Sequence, residues 1–379
     1  MRATQLTYQR GSGWSQPADA APAPDDSQLV FAFGDREAFD ASPDIVGGLA
    51  SRFPRAKIVA CSTGGEIFGD RVLERAVTAT ALHFSSTRVV AVERSLGSSE
   101  RSAEVGQALG RELPALGLRH VLVFSEGLHV NGTGLARGLA AGLPAGVTVT
   151  GGLAGDGERF QRTLVGLDRP PAEGRVVAVG LYGARLDVGM GSLGGWRTFG
   201  DDLTITRSEG NVLFELDGEP ALPVYKRLIG AHAYALPASG LLYPLLVRDG
   251  PADAGVVRTL LGIDESAGSL TFAGDLPNGR TVRLMRADLD QLIDAAGLAA
   301  ARSVGECPAP AFALLVSCIG RKLLLQQRAH EEVVSARGAF GAETAIAGFY
   351  SYGELSPMSR AVKCELHNQT MTITTLSER

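Results

Sequence analysis

The sequence predicts a two-domain protein of mixed α/β (α+β) class, with a duplicated strand–helix–strand unit in the first domain. The second domain is predicted as a mixed sheet with flanking helices. Three observations lead there. At 379 residues the chain exceeds the roughly 250–300 residues that a single core sustains. Short apolar runs alternate with helical periodicities along most of its length. Finally, Leu49-Ala50, Pro54, Val59 and Gly65-Glu66 return ninety residues later as Leu139-Ala140, Pro144, Val149 and Gly155-Asp156. Duplication of one supersecondary unit leaves such a trace.

The elements follow in order. Gly11 to Gln28 is rich in Ser, Pro, Ala and Asp without periodicity, so residues 1–28 are expected to form a flexible lead-in. Leu29 to Phe33 is an apolar run closed by Gly34-Asp35, a buried strand. A helix is expected over Asp44 to Arg52, a strand over Lys57 to Cys61, then strands over Ala76–Phe84 and Arg88–Arg94. Val121 to Phe124 is the counterpart of Val30 to Phe33. Val176 to Leu216 is strand-rich, and a helix spans Ala221 to Ile229. Four strands are expected between Tyr243 and Met285. Leu289, Leu292, Ile293 and Ala296 recur at helical spacing behind Asp288 as N-cap. Strand Phe312–Ser317, helix Lys322–Val334 and strands Ala345–Tyr350 and Leu366–Thr374 complete the chain. The first domain is expected over 29–217 and the second over 218–379.

Composition excludes several classes. With 36 Lys+Arg against 41 Asp+Glu, the net charge is -5, which gives no general attraction to nucleic acid. No apolar run is long enough for a membrane helix, and Met1 to Ser27 lacks the apolar core of a signal peptide. The expectation is a soluble cytoplasmic protein. Cys61, Cys307, Cys318 and Cys364 are scattered and form no disulfide framework. No phosphate loop, H-E-x-x-H, C-x-x-C pair or G-x-S-x-G elbow is present. In Gly151 to Gly157, the glycines allow positive φ and Asp156 is expected to hold backbone amides.

Two residues stand out chemically. Cys318 follows an apolar strand and precedes Gly320-Arg321, where a thiol is either a reactive group at a helix N-terminus or a small buried hydrophobe. His232 leads without acids into Leu241-Leu242-Tyr243-Pro244. A single histidine beside an apolar pocket suits a five-coordinate haem iron, and an ordinary loop histidine is the other reading. Arg321 and Glu354, both beside glycines, could supply the charges that an amino-acid ligand requires, or form a structural ion pair.

Together the motifs resemble the FIST (F-box and intracellular signal transduction) sensory family. The first half carries Cys61-Ser62-Thr63-Gly64-Gly65-Glu66, Gly151 to Asp156 and Gly210-Asn211-Val212 through Leu222, with Tyr225. The second carries Gly268 to Pro277, Ser317-Cys318-Ile319-Gly320-Arg321, Gly348 to Glu354 and Leu366-His367-Asn368-Gln369-Thr370. The resemblance implies a non-enzymatic, free-standing sensor that binds a small ligand. It would regulate a partner such as a histidine kinase or a cyclic-dinucleotide signalling enzyme, and could act as an oligomer. Haem b with nitric oxide is the favoured ligand, placed at His232 with Tyr234, Tyr243 and Pro244. An amino acid or similar metabolite near Cys318, Arg321, Glu354 and Asn368 is the alternative. A Cys318-dependent enzyme is the third reading.

Overall fold

The computed structural model describes residues 1–15, 26–42, 44–250, 253–357 and 363–379. Its main body is built from three sheets of one plan. In the first, Leu29–Gly34 runs parallel to Lys57–Ser62, with helix Asp44–Arg52 between them in sequence. Val77–His83 and then Arg2–Gln9 add antiparallel strands on one side, and Val165–Leu167 closes the other. In the second, Leu118–Ser125 is parallel to Thr148–Leu153 around helix Gly132–Gly142. Arg175–Tyr182 and Arg88–Ser95 flank one side, and Gly353–Ser356 flanks the other. This is the predicted duplication.

A third copy lies in the C-terminal half, where the sequence shows no repeat. Phe312–Cys318 is parallel to Ala345–Ser351. Met371–Glu378 and Leu186–Leu193 follow on one side, and Glu66–Phe68 closes the other. Each unit therefore lends a short strand to the next, in a cycle. Where the units meet, Gly64 N donates to Tyr350 O (2.7 Å), Tyr352 N to Leu153 O (3.2 Å) and Gly155 N to Ser62 O (3.0 Å). Backbone amides that end three sheets are thus satisfied by one three-way ring.

Both faces of these sheets are covered, which explains why the strands are continuous apolar runs. Alternate residues Phe31, Phe33, Phe124, Leu314, Val316 and Phe349 meet in one shared interior. The intervening residues face helices: Val30 and Ala32 face Ile45 and Leu49, and Val121 and Val123 face Val105 and Leu139. Helices Ser102–Glu112 and Gly132–Gly142 approach backbone to backbone. A Cβ on Gly138 would lie 2.1 Å from the Ala103 carbonyl oxygen.

A smaller body, 197–286, is inserted in the third unit between strand Leu186–Leu193 and helix Leu289–Glu306. Its strands form one antiparallel sheet over a core of Ile205, Leu213, Tyr225 and Phe272. The chain enters and leaves through neighbouring strands, since Arg197 pairs with Arg286. Asp217, where the sequence suggests the domain junction, caps a hairpin within this sheet with φ 49°.

Three expectations change. The N-terminal segment is not a flexible lead-in throughout: Arg2–Gln9 is a paired strand with Leu6 fully buried. Its alternation of Thr4, Leu6 and Tyr8 is a period-two signal diluted by polar neighbours. Residues 16–25 lie outside the described residues. The helix expected at Lys322–Val334 is two helices, Ile319–Leu325 and Ala329–Arg337, broken at Gln326 with φ 50°. The strand expected at Leu366–Thr374 is interrupted by a turn in which Gln369 has φ 60°.

Candidate functional site

A cavity of about 810 Å³ lies where the second and third units meet beneath the inserted body. Gly127, Leu128, Val130 to Gly132 and Leu153 come from the second unit. Cys318 to Gly320, Leu323, Leu366 and Asn368 come from the third. Leu236 to Ala238, Thr259 to Leu261 and Phe272 to Asp275 form the cover. Two of these walls are the ends of topologically equivalent parallel strands, where loops of α/β sheets converge and ligands commonly bind.

The lining is mainly apolar with a few placed polar groups. Thr259 and Asn368 are 4% and 1% exposed, and Thr259 Oγ1 and Asn368 Oδ1 have no hydrogen-bond partner. Such atoms cost about 1–3 kcal/mol each when left unpaired. Asn368 is held there by the turn at Gln369, whose Nε2 donates to the Leu241 carbonyl across to the cover (3.4 Å). Asn131, N-cap of helix Gly132–Gly142, accepts from Gly134 N and donates through Nδ2 to Asp275 (3.0 Å). That bond also spans the main body and the cover. Arg258, buried behind the wall, donates to the carbonyls of Leu366 (3.0 Å) and Asp275 (3.1 Å). Phe160 stacks on Tyr352 with ring centroids 4.7 Å apart, and both rings face the cavity. Tyr352 in turn donates to Asp156.

Cys318 lines the cavity and caps helix Ile319–Leu325, but it is only 4% exposed. Burial pushes its thiol well above the ordinary range, with the charge of Glu354 adding to the effect. At neutral pH it is a thiol, not a thiolate nucleophile.

Asn368 and Cys318 are therefore brought together, whereas Arg321 and Glu354 are not ligand groups of this cavity. Arg321 is fully buried. It bonds Glu332 through Nε (2.9 Å) and the carbonyls of Gly194 and Leu292 (both 2.7 Å). Glu354 is also fully buried and accepts from Ser351 (2.7 Å) and Thr370 (2.9 Å). Their work is to tie helix and strand ends together.

The site does not fit a histidine-held haem at His232. That side chain is exposed on the turn 230–235, its ring 5.1 Å from Tyr243, and the cavity wall begins beyond it at Ala235. Tyr234 is 90% exposed, and Pro244 is buried beneath, its carbonyl accepting from Met285 N. Tyr243 accepts from Tyr225 through its carbonyl (2.6 Å), a structural tie. Among the described residues, no histidine lines the cavity. The misplacement has a simple cause: only some of the apolar residues that follow His232 are buried, and His232 itself lies exposed on the turn.

Sequence reasoning missed Thr259, Asn131 and Asp275. Asp275 lies within the Gly268 to Pro277 motif, and Asn131-Gly132 is an N-cap signal. Nothing in the run Val256 to Leu261 distinguishes Thr259. As expected, Asp156 holds backbone amides, those of Gln161 (3.0 Å) and Arg162 (2.9 Å).

The FIST N domain model matches residues 28–219, and the FIST C domain model matches residues 221–357. Two proteins of Mycobacterium tuberculosis, from different strains and both described as uncharacterised, are 28% identical to the chain over 222 residues. The match covers 56% of this chain and 57% of each relative, so little more than half of their length is spanned. No helix among the described residues is long and apolar enough to cross a membrane.

Proposed function

The chain belongs to the FIST family, whose domains are associated with sensory signal transduction, and from this we propose that it is a small-ligand sensor acting through a partner. The ligand would be a metabolite held in the cavity between the second unit, the third unit and the inserted body. The unpartnered, buried Thr259 and Asn368 in a mainly apolar wall carry this reading. A ligand there touches the main body and the cover together. The two bodies are joined only by the Arg197–Arg286 neck in sequence, so ligand contacts can favour one arrangement over another. Only that difference in affinity can be passed on. A histidine kinase or a cyclic-dinucleotide enzyme is the kind of partner that could read it. The high thiol pKa of Cys318 favours binding over nucleophilic catalysis.

The test is thermal unfolding of the full chain with soluble metabolites, free amino acids and haem. The expected result is a concentration-dependent rise in Tm with at least one metabolite, abolished by Ala238→Trp, which fills the cavity from its exposed rim. No shift with any compound, or a shift unchanged in that variant, contradicts the proposal.

A further inference from the structure

We propose that the cavity takes an organic cation: an ammonium group on an apolar body. This rests on the cavity's being the ligand site and goes further by fixing the ligand's charge. The charged side chains in its lining are Glu100 and Asp275, and among the described lining residues there is no Lys, Arg or His. Arg258 is the nearest cation behind the wall. It is 3% exposed, its Nε and Nη1 donate to the carbonyls of Val257, Asp275 and Leu366, and its charge is in electrostatic contact with Asp275 from behind. A ligand carboxylate would therefore meet acids and no cation in the lining, whereas an ammonium would meet those acids as counter-charges.

The unpartnered atoms point the same way. Asn368 Oδ1 is an acceptor, and the Thr259 hydroxyl can accept as well. An ammonium brings three donors and no acceptor. The stacked Phe160 and Tyr352 rings add a π surface that attracts cations. The aliphatic remainder of the wall, including Leu153, Leu236, Leu260 and Leu366, would bury an apolar body. Asp275 is the central residue, because Asn131 holds its carboxylate in place across the seam.

Calorimetric titration of the full chain with three probes sharing one phenylpropyl body tests this: 3-phenylpropylamine, 3-phenylpropanol and 3-phenylpropanoate. The amine should bind about tenfold tighter than the alcohol, with the carboxylate weakest. Asp275→Asn should remove most of the amine's advantage while leaving the alcohol's affinity nearly unchanged. Glu100→Gln, at an exposed rim position, should reduce the advantage in a variant whose fold is not at risk. Preference for the carboxylate, no preference for the amine, or an amine advantage that survives both substitutions overturns the inference. If the alcohol or carboxylate binds best and Ala238→Trp abolishes it, the cavity reading stands and only the cation fails. If probe binding ignores Ala238→Trp, the cavity reading itself fails.

Discussion

Arg321→Ala should destabilise the protein by about 3–5 kcal/mol, measured by denaturant unfolding. The guanidinium has no exposure, and it joins Glu332, itself fully buried, to the carbonyls of Gly194 and Leu292. Gly194 precedes the inserted body and Leu292 lies on the helix that follows it. One side chain thus anchors both ends of the insertion to the third unit. Removing it leaves the Glu332 carboxylate buried without a counter-charge, holding hydrogen bonds from Ser317 (3.0 Å) and Tyr350. Arg321→Lys should recover little, because an ammonium cannot reproduce the planar fork. Replacing both partners, Arg321→Met with Glu332→Leu, should recover most of the loss. A loss below about 1 kcal/mol for Arg321→Ala would show that the pair is not a structural anchor.

Stability should decline as pH rises from about 6.5 to 8, through Glu66 and Glu354, and the loss should reach a few kcal/mol per carboxyl. Burial raises both from 4.5 to about 8, against opposing hydrogen bonds from Thr63 and from Ser351 and Thr370. Between those values the unfolded chain has released protons that the folded chain retains, so rising pH favours unfolding. Two buried histidines act in the opposite sense. His120 is lowered from 6.5 to about 3 and His367 to about 4, both by burial. Below pH 6.5 the unfolded chain takes up protons there that the folded chain refuses, so falling pH destabilises. The effects oppose one another between about 4.5 and 6.5 and give a plateau, with losses on either side. Unfolding free energies across pH 4 to 10 check this (range chosen around the reference values). Glu354→Gln should flatten the alkaline limb. An alkaline limb unchanged from that of the unsubstituted protein in both Glu354→Gln and Glu66→Gln would contradict the assignment.

These two acids also show how far the sequence could be followed. Gly65-Glu66, Gly155-Asp156 and Gly353-Glu354 follow closely on the second parallel strand of each unit. The first two were visible as a repeat because residue types and spacing survive together. The third unit was hidden because two helices, Ile319–Leu325 and Ala329–Arg337, lengthen the connection between its parallel strands, so the spacing shared by the first two units is lost. Helices with a clear period and cap, such as Leu289–Glu306 behind Asp288, were legible from local signals alone. The exchange of edge strands was not, since pairing Glu66–Phe68 with Ala345–Ser351 depends on tertiary packing. At the site, Asn368 and Cys318 lay within ordered motifs and were found. Thr259 and Asn131 matter only because the cavity passes beside them. His232 and Arg321 had suggestive neighbours in sequence, but their side chains face solvent and the third unit's core respectively.

The most direct measurement is hydrogen–deuterium exchange of the full chain with and without the compound that raises its Tm. Binding between the bodies predicts joint protection of residues 127–132, 259–261, 318–323 and 366–368, three of the four segments lying in the main body and one in the cover. Protection confined to one body, or centred on the exposed turn 230–235 that carries His232, would contradict it.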